Sequence, residues 1–196
     1  MRLEPCDIFF SRSKSILGWL IRKTTQERGE AKTWANHTGI VVKAGDLRQA
    51  VVVEALTRVF RRTFYPAYGK GPDWEVYRPL TLEAWEQCRI VERAETYVGR
   101  TYGYLKILAH AGDWLLGNAR VFRRLCKIDR YPICSYLVAH CFQVVDKTFG
   151  VPSDMATPDD MMDFCQQYPN KYALVARKTN GSIRFYEIAG DRYIHP

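Results

Sequence analysis

The chain has 196 residues, 47% hydrophobic and 26% charged, which suits one globular domain with a substantial core and argues against a disordered or fibrous protein. No apolar run approaches the roughly 18 residues a transmembrane helix needs, and the polar, proline-broken start Met1-Arg2-Leu3-Glu4-Pro5-Cys6-Asp7 does not read as a signal peptide, so a cytoplasmic protein is expected. A net charge of +8 and a pI near 9.2 favour an anionic surface as partner, a membrane or a cell-wall polymer, but the basic residues are scattered, so no specific nucleic-acid contact is expected.

Along the chain, residues 6–11 read as a short strand. Ile16, Leu17, Leu20 and Ile21 recur at helical spacing behind Ser13, a suitable cap, and predict a helix over 13–22 followed by a polar loop over 24–32. Residues 34–42 and 50–56 are strand-like and flank a turn-like segment, which predicts an antiparallel hairpin. A turn centred on Gly45-Asp46 sets His37 directly opposite Glu54, on one face of the sheet. A slip of one residue would part them. Residues 58–64 alternate weakly as a further strand, 65–73 read as a loop, and 74–78 as a strand. Thr81 then caps a helix whose apolar positions run to Val98, with Gly99 as its stop.

Residues 104–128 are mostly helical, apolar on one side and basic on the other. They form either an amphipathic helix packed on the core, which we prefer, or a membrane-facing lid that would bring peripheral membrane association. A helix opens at Cys134, behind Arg130-Tyr131-Pro132-Ile133, and runs to about Phe149. Thr157 or Asp159 caps a short helix through Met161, Met162, Phe164 and Cys165. Asn180-Gly181 between two strand-like runs predicts a closing hairpin with a type I′ turn.

Six cysteines are present, Cys6, Cys88, Cys126, Cys134, Cys141 and Cys165, with no CxxC pair and no zinc-like His/Cys spacing, so free thiols and no metal or cofactor are expected. Cys134 differs from the others by its place at a helix N-terminus, where unpaired N–H groups and the helix dipole favour a thiolate. Thiol-based acyl transfer needs an ionised sulfur, an imidazole to accept and return the proton, and a third group to orient that imidazole. His37, Glu54 and Cys134, in that order, supply all three. Taken singly, Cys134 reads more readily as a buried core cysteine, and His37 as a satisfied structural histidine, than as catalytic groups. Glu54, behind three valines, needs a partner if its strand is buried. His110, His140 and His195 read as structural, and His140 lies about 9 Å along the helix from Cys134.

Asp7-Ile8-Phe9-Phe10-Ser11-Arg12, Asn36-His37-Thr38-Gly39-Ile40-Val41, Val53-Glu54-Ala55 and Cys134-Ser135-Tyr136-Leu137-Val138, in this order, resemble the circularly permuted branch of the papain-like fold, the YiiX/YaeF-type amidases of the NlpC-like superfamily. Gly99-Arg100-Thr101-Tyr102-Gly103 and Ser153-Asp154 to Pro158-Asp159-Asp160 fit its spacing too. The resemblance implies an α+β permuted papain-like fold, an antiparallel sheet packed against the nucleophile-bearing helix, in a single domain over 1–196 with a helical insertion at about 104–128. It implies Cys134 as nucleophile, His37 as base and Glu54 as orienting residue of a cysteine hydrolase. The expected substrate is a peptide or N-acyl amide, or a lipid-like acyl donor as in the related lecithin:retinol-acyltransferase-like enzymes; a catalytically idle binding module is the alternative from another class. One departure is Cys6, where the family usually has glycine before Asp-Ile.

Overall fold

The computed structural model describes residues 2–13, 34–101 and 134–188. Within them the chain forms a mixed α/β structure in which a seven-stranded antiparallel sheet is accompanied by four helices. The strands are β1 (Ile8–Arg12), β2 (His37–Lys43), β3 (Val51–Ala55), β4 (Val59–Thr63), β5 (Asp73–Pro79), β6 (Tyr172–Thr179) and β7 (Ser182–Phe185), in the spatial order β4-β3-β2-β1-β5-β6-β7. Helix α1 (Phe64–Tyr68) joins β4 to β5, and α2 (Ala84–Glu95), α3 (Cys134–Gln143) and α4 (Pro158–Gln167) follow. The expected helix over 13–22, the loop over 24–32 and the helical insertion at 104–128 lie outside the described residues. No helix among the described residues is long and apolar enough to cross a membrane.

The central strands are buried on both faces, which explains their unbroken apolar runs. On one face Ile8, Phe10, Ile40 and Val53 pack with Ile90 of α2, Leu137 and Phe142 of α3 and Met161 of α4. On the other, Phe9, Val41, Val52, Trp74 and Val76 pack with Phe64 and Tyr68 of α1. Successive side chains along a strand thus feed two separate cores.

The β2–β3 hairpin forms, but not in the expected register. Glu54 pairs with Gly39 rather than with His37, and Val53 with Ile40. The connection is longer than a tight turn at Gly45-Asp46: the Asp46 carboxylate accepts from the N–H groups of Arg48 and Gln49, Ala50 N–H reaches back to the Asp46 carbonyl, and the ladder is irregular between Val41 and Lys43. The slip is two residues, so the face is preserved. His37 and Glu54 become diagonal neighbours across Gly39 instead of direct partners.

Other boundaries also differ. Residues 65–73 are not all loop, since α1 occupies their start. Helix α2 begins with a capping box between Glu83 and Glu86 rather than at Thr81, and it ends at Glu95, with Gly99 (φ 85) turning the chain only afterwards. Helix α3 stops at Gln143, well short of Phe149. Asp146 takes a left-handed conformation (φ 57) while Lys147 N–H bonds the Phe142 carbonyl and Asp146 N–H that of Gln143, a Schellman closure. Thr157 caps α4 as expected, and Asn180 (φ 51) with Gly181 (φ 82) makes the closing hairpin turn. Cys6 sits at φ 71, the conformation that a glycine would adopt freely.

Candidate active site

The segment leading into β2 is held from three sides. The Asp159 carboxylate, at the start of α4, accepts from the N–H groups of Trp34 and Ala35 at 3.0 and 3.2 Å. The Asn36 side chain exchanges two hydrogen bonds with the Ser13 backbone, and Asn36 N–H bonds the Ser11 carbonyl. His37 therefore opens β2 from a fixed position, and its ring lies 5.9 Å from that of Phe9.

Glu54 reaches His37 across Gly39. A side chain at that position would collide: a Cβ on Gly39 would lie 2.5 Å from Phe9 Cε1 and 2.9 Å from Glu54 Cβ. The glycine lets the Phe9 ring lie over the strand and leaves Glu54 a clear diagonal. Glu54 Oε2 accepts from His37 Nε2 at 2.6 Å. Its second donor is the Tyr68 hydroxyl, and Arg62 Nε donates to Oε1 at 2.5 Å. Glu54 is fully buried, so these donors replace its water shell. Burial pushes its carboxyl upward, but the bonds to His37 and Arg62 outweigh that and hold it far below the usual carboxylate range.

With Nε2 occupied by Glu54, Nδ1 of His37 is left for Cys134. Helix α3 packs on β2 and α2, and Cys134 is its first residue. The thiol is hydrogen-bonded to His37, and the backbone N–H groups of Thr38 and Ser135 also point at the sulfur. Burial opposes ionisation of Cys134, but these bonds and the His37 charge reverse the balance and lower the thiol below its ordinary value. Burial likewise disfavours a charged His37, and the bonds to Cys134 and Glu54 overturn that and raise it. Both shifts favour a thiolate–imidazolium pair. Without such partners, burial pushes Cys6 up to about 12 and raises Cys141 and Cys165 as well.

The three residues singled out in the sequence are thus brought together in the order Cys134–His37–Glu54. His140 is instead stacked on Tyr136, with ring centroids 3.9 Å apart. Two members of the cluster, Arg62 and Tyr68, carried no sequence signal as site residues. The alternation of β4 set Arg62 on the face of Val52 and Glu54, which could have been read had the register been known. Lys178 of β6 supports them from behind. Its buried ammonium donates to the carbonyls of Tyr68 and Gly71 at 3.1 and 2.8 Å.

No protein-family model matches this chain, and no curated protein does. Among solved structures the chain is similar to the metalloprotein yiiX from Escherichia coli O157:H7, with a TM-score of 0.55 and 18% sequence identity over 89% of this chain and 97% of that one. The likeness is one of fold.

Proposed function

We propose that this chain is a single-domain cysteine hydrolase of the permuted papain-like, NlpC-type kind, cleaving an amide bond through a thioester. The observation that carries the reading is the hydrogen-bonded line from the first residue of α3 through His37 to the buried Glu54. The thiolate of Cys134 attacks the carbonyl carbon, and the negative charge moves to the carbonyl oxygen. That oxygen is met by the Cys134 N–H at the start of α3, a helix end being where backbone donors are left for such a charge. As the carbon–nitrogen bond breaks, the His37 imidazolium gives its Nδ1 proton to the leaving amine. Water, deprotonated by His37, then attacks the thioester, releasing the acid and restoring the thiolate. Glu54 keeps the ring in one orientation throughout. The basic surface suits an anionic substrate, such as a cell-wall peptide or an N-acyl compound with an acidic group.

The fold neighbour is a metalloprotein. The donor set here does not fit a metal: His37 Nε2 is committed to Glu54, both Glu54 oxygens are taken by donors, and no group of three His, Cys, Asp or Glu side chains among the described residues is arranged to hold an ion. The side chains themselves supply the chemistry proposed above.

The test is iodoacetamide alkylation of the native protein across pH 4 to 9, followed for each cysteine by peptide mass spectrometry, in wild type and His37→Ala. Cys134 is expected to react well below the ordinary thiol value of about 8.5, and to lose that reactivity without His37. Cys88, the one exposed thiol among the described residues, is the internal reference. A Cys134 that is inert, or indifferent to His37, rules the reading out. Wild-type turnover of N-acyl and peptide substrates, lost in Cys134→Ala, then identifies the bond.

A further inference from the structure

We infer that Arg62 and Tyr68 set how firmly His37 holds its proton, by drawing the charge of Glu54 away from the imidazolium. The inference rests on the triad proposed above. Glu54 Oε2 is shared between His37 Nε2 and the Tyr68 hydroxyl, while Oε1 is committed to Arg62.

Neither donor is a passing contact. Arg62 of β4 pairs with Val52 of β3, and its guanidinium carbon lies 5.7 Å from the centre of the Tyr68 ring. Tyr68 stacks on Phe64 at 5.0 Å, and its carbonyl is held by Lys178 Nζ and by Trp74 Nε1 at 3.2 Å. The groups that face the His37–Glu54 pair are Cys134 from α3, Arg62 from β4 and Tyr68 from α1, while β1 presents the uncharged Phe9 ring.

The charges explain the arrangement. Thiolate, imidazolium, carboxylate and guanidinium together are neutral. Without Arg62 the same cluster would carry an uncompensated negative charge beside a buried carboxylate, and the imidazolium alone would answer it. A carboxylate with no other partner binds its proton-bearing neighbour most strongly. An imidazolium stabilised that far is a poor acid toward a leaving amine. Two further donors on Glu54 weaken its hold while keeping its direction. Both are positioning residues, acting through Glu54.

The experiment is an NMR titration of the His37 imidazole in the full-length protein, its signal assigned by comparison with His37→Ala, in wild type, Arg62→Gln, Arg62→Lys and Tyr68→Phe, with a thermal melt of each. In Arg62→Gln the midpoint should rise, so that the imidazolium-to-imidazole ratio at fixed pH is about three- to tenfold above wild type. Arg62→Lys, which restores the charge, should return it. Tyr68→Phe should shift it in the same direction by less. A folded Arg62→Gln or Tyr68→Phe whose midpoint stays or falls overturns the inference, since the donors would then only orient Glu54. If Arg62→Gln does not fold, Tyr68→Phe decides alone. A wild-type His37 that titrates like an ordinary histidine brings down the triad as well, whereas a raised wild-type midpoint with unmoved variants brings down this inference only.

Discussion

Gly39 shows how one missing side chain organises the cluster. Its absent Cβ is where the Phe9 ring and the Glu54 stem already are, so Gly39→Ala must displace one of them. The expected cost is about 1–3 kcal/mol of stability, read from urea unfolding, together with a Cys134 alkylation profile shifted toward that of an ordinary thiol. Cys6 is the opposite case, a side chain where none is needed. At φ 71 it bears a strain of roughly 1 kcal/mol that glycine would not, offset by the burial of its thiol against the Gln87 carbonyl. Cys6→Gly should therefore melt within a few degrees of wild type, and Cys6→Val, whose branched Cβ is excluded from that conformation, should melt far lower. Glu54 has its carboxyl pulled down to about 2 by the fold. Its contribution to stability is thus present above the unfolded value of about 4.3 and is lost as pH falls through the folded one. The stability gap between wild type and Glu54→Gln should shrink from pH 6 to pH 3, as measured by chemical denaturation.

Helix α1 is the element least able to stand alone: five residues, one of them Pro66, fall far short of a self-supporting helix. Its last carbonyl, that of Tyr68, is instead held by the buried Lys178 ammonium, which also bonds the Gly71 carbonyl beyond the helix. Lys178→Met should therefore cost about 1.5–3 kcal/mol, lower the urea midpoint, and raise the His37 NMR midpoint in the direction expected of Tyr68→Phe as Tyr68 loosens from Glu54. An unchanged His37 midpoint in that variant would show that α1 holds Tyr68 unaided. The same helix marks the limit of what could be read from the sequence. Strand periodicity, the Asn180-Gly181 turn and the Thr157 cap are local signals, and each was legible. The positions of His37 and Glu54 on one face were legible too, because a two-residue slip leaves the face unchanged. The slip itself was not, since it depends on Asp46 capping a longer connection. Tyr68 and Arg62 were hidden for the same reason: their roles depend on where a neighbouring strand lands and on a short helix whose end is held by a distant lysine.

At the scale of the molecule, one sheet serves two cores, with β1 at its centre. Neither face can lose its packing without exposing strands the other also needs. Trp74 lies on the α1 side, while Trp34 and helices α2 to α4 lie on the opposite one. Fluorescence of a variant that keeps Trp74 as its sole tryptophan, the other four replaced by Phe, and far-UV circular dichroism should therefore unfold in a single coincident transition. Two separated transitions would mean that the faces are independent units. The sheet also divides the cluster by distance along the chain. His37 and Glu54 are 17 residues apart in one hairpin, and Arg62 and Tyr68 follow directly, whereas Cys134 arrives from beyond β5 and α2. During synthesis the His37–Glu54 hairpin can therefore form as a local structure before Cys134 is made, whereas Tyr68 waits for Lys178, and docking of α3, the slower long-range closure, is the step that completes the proposed triad.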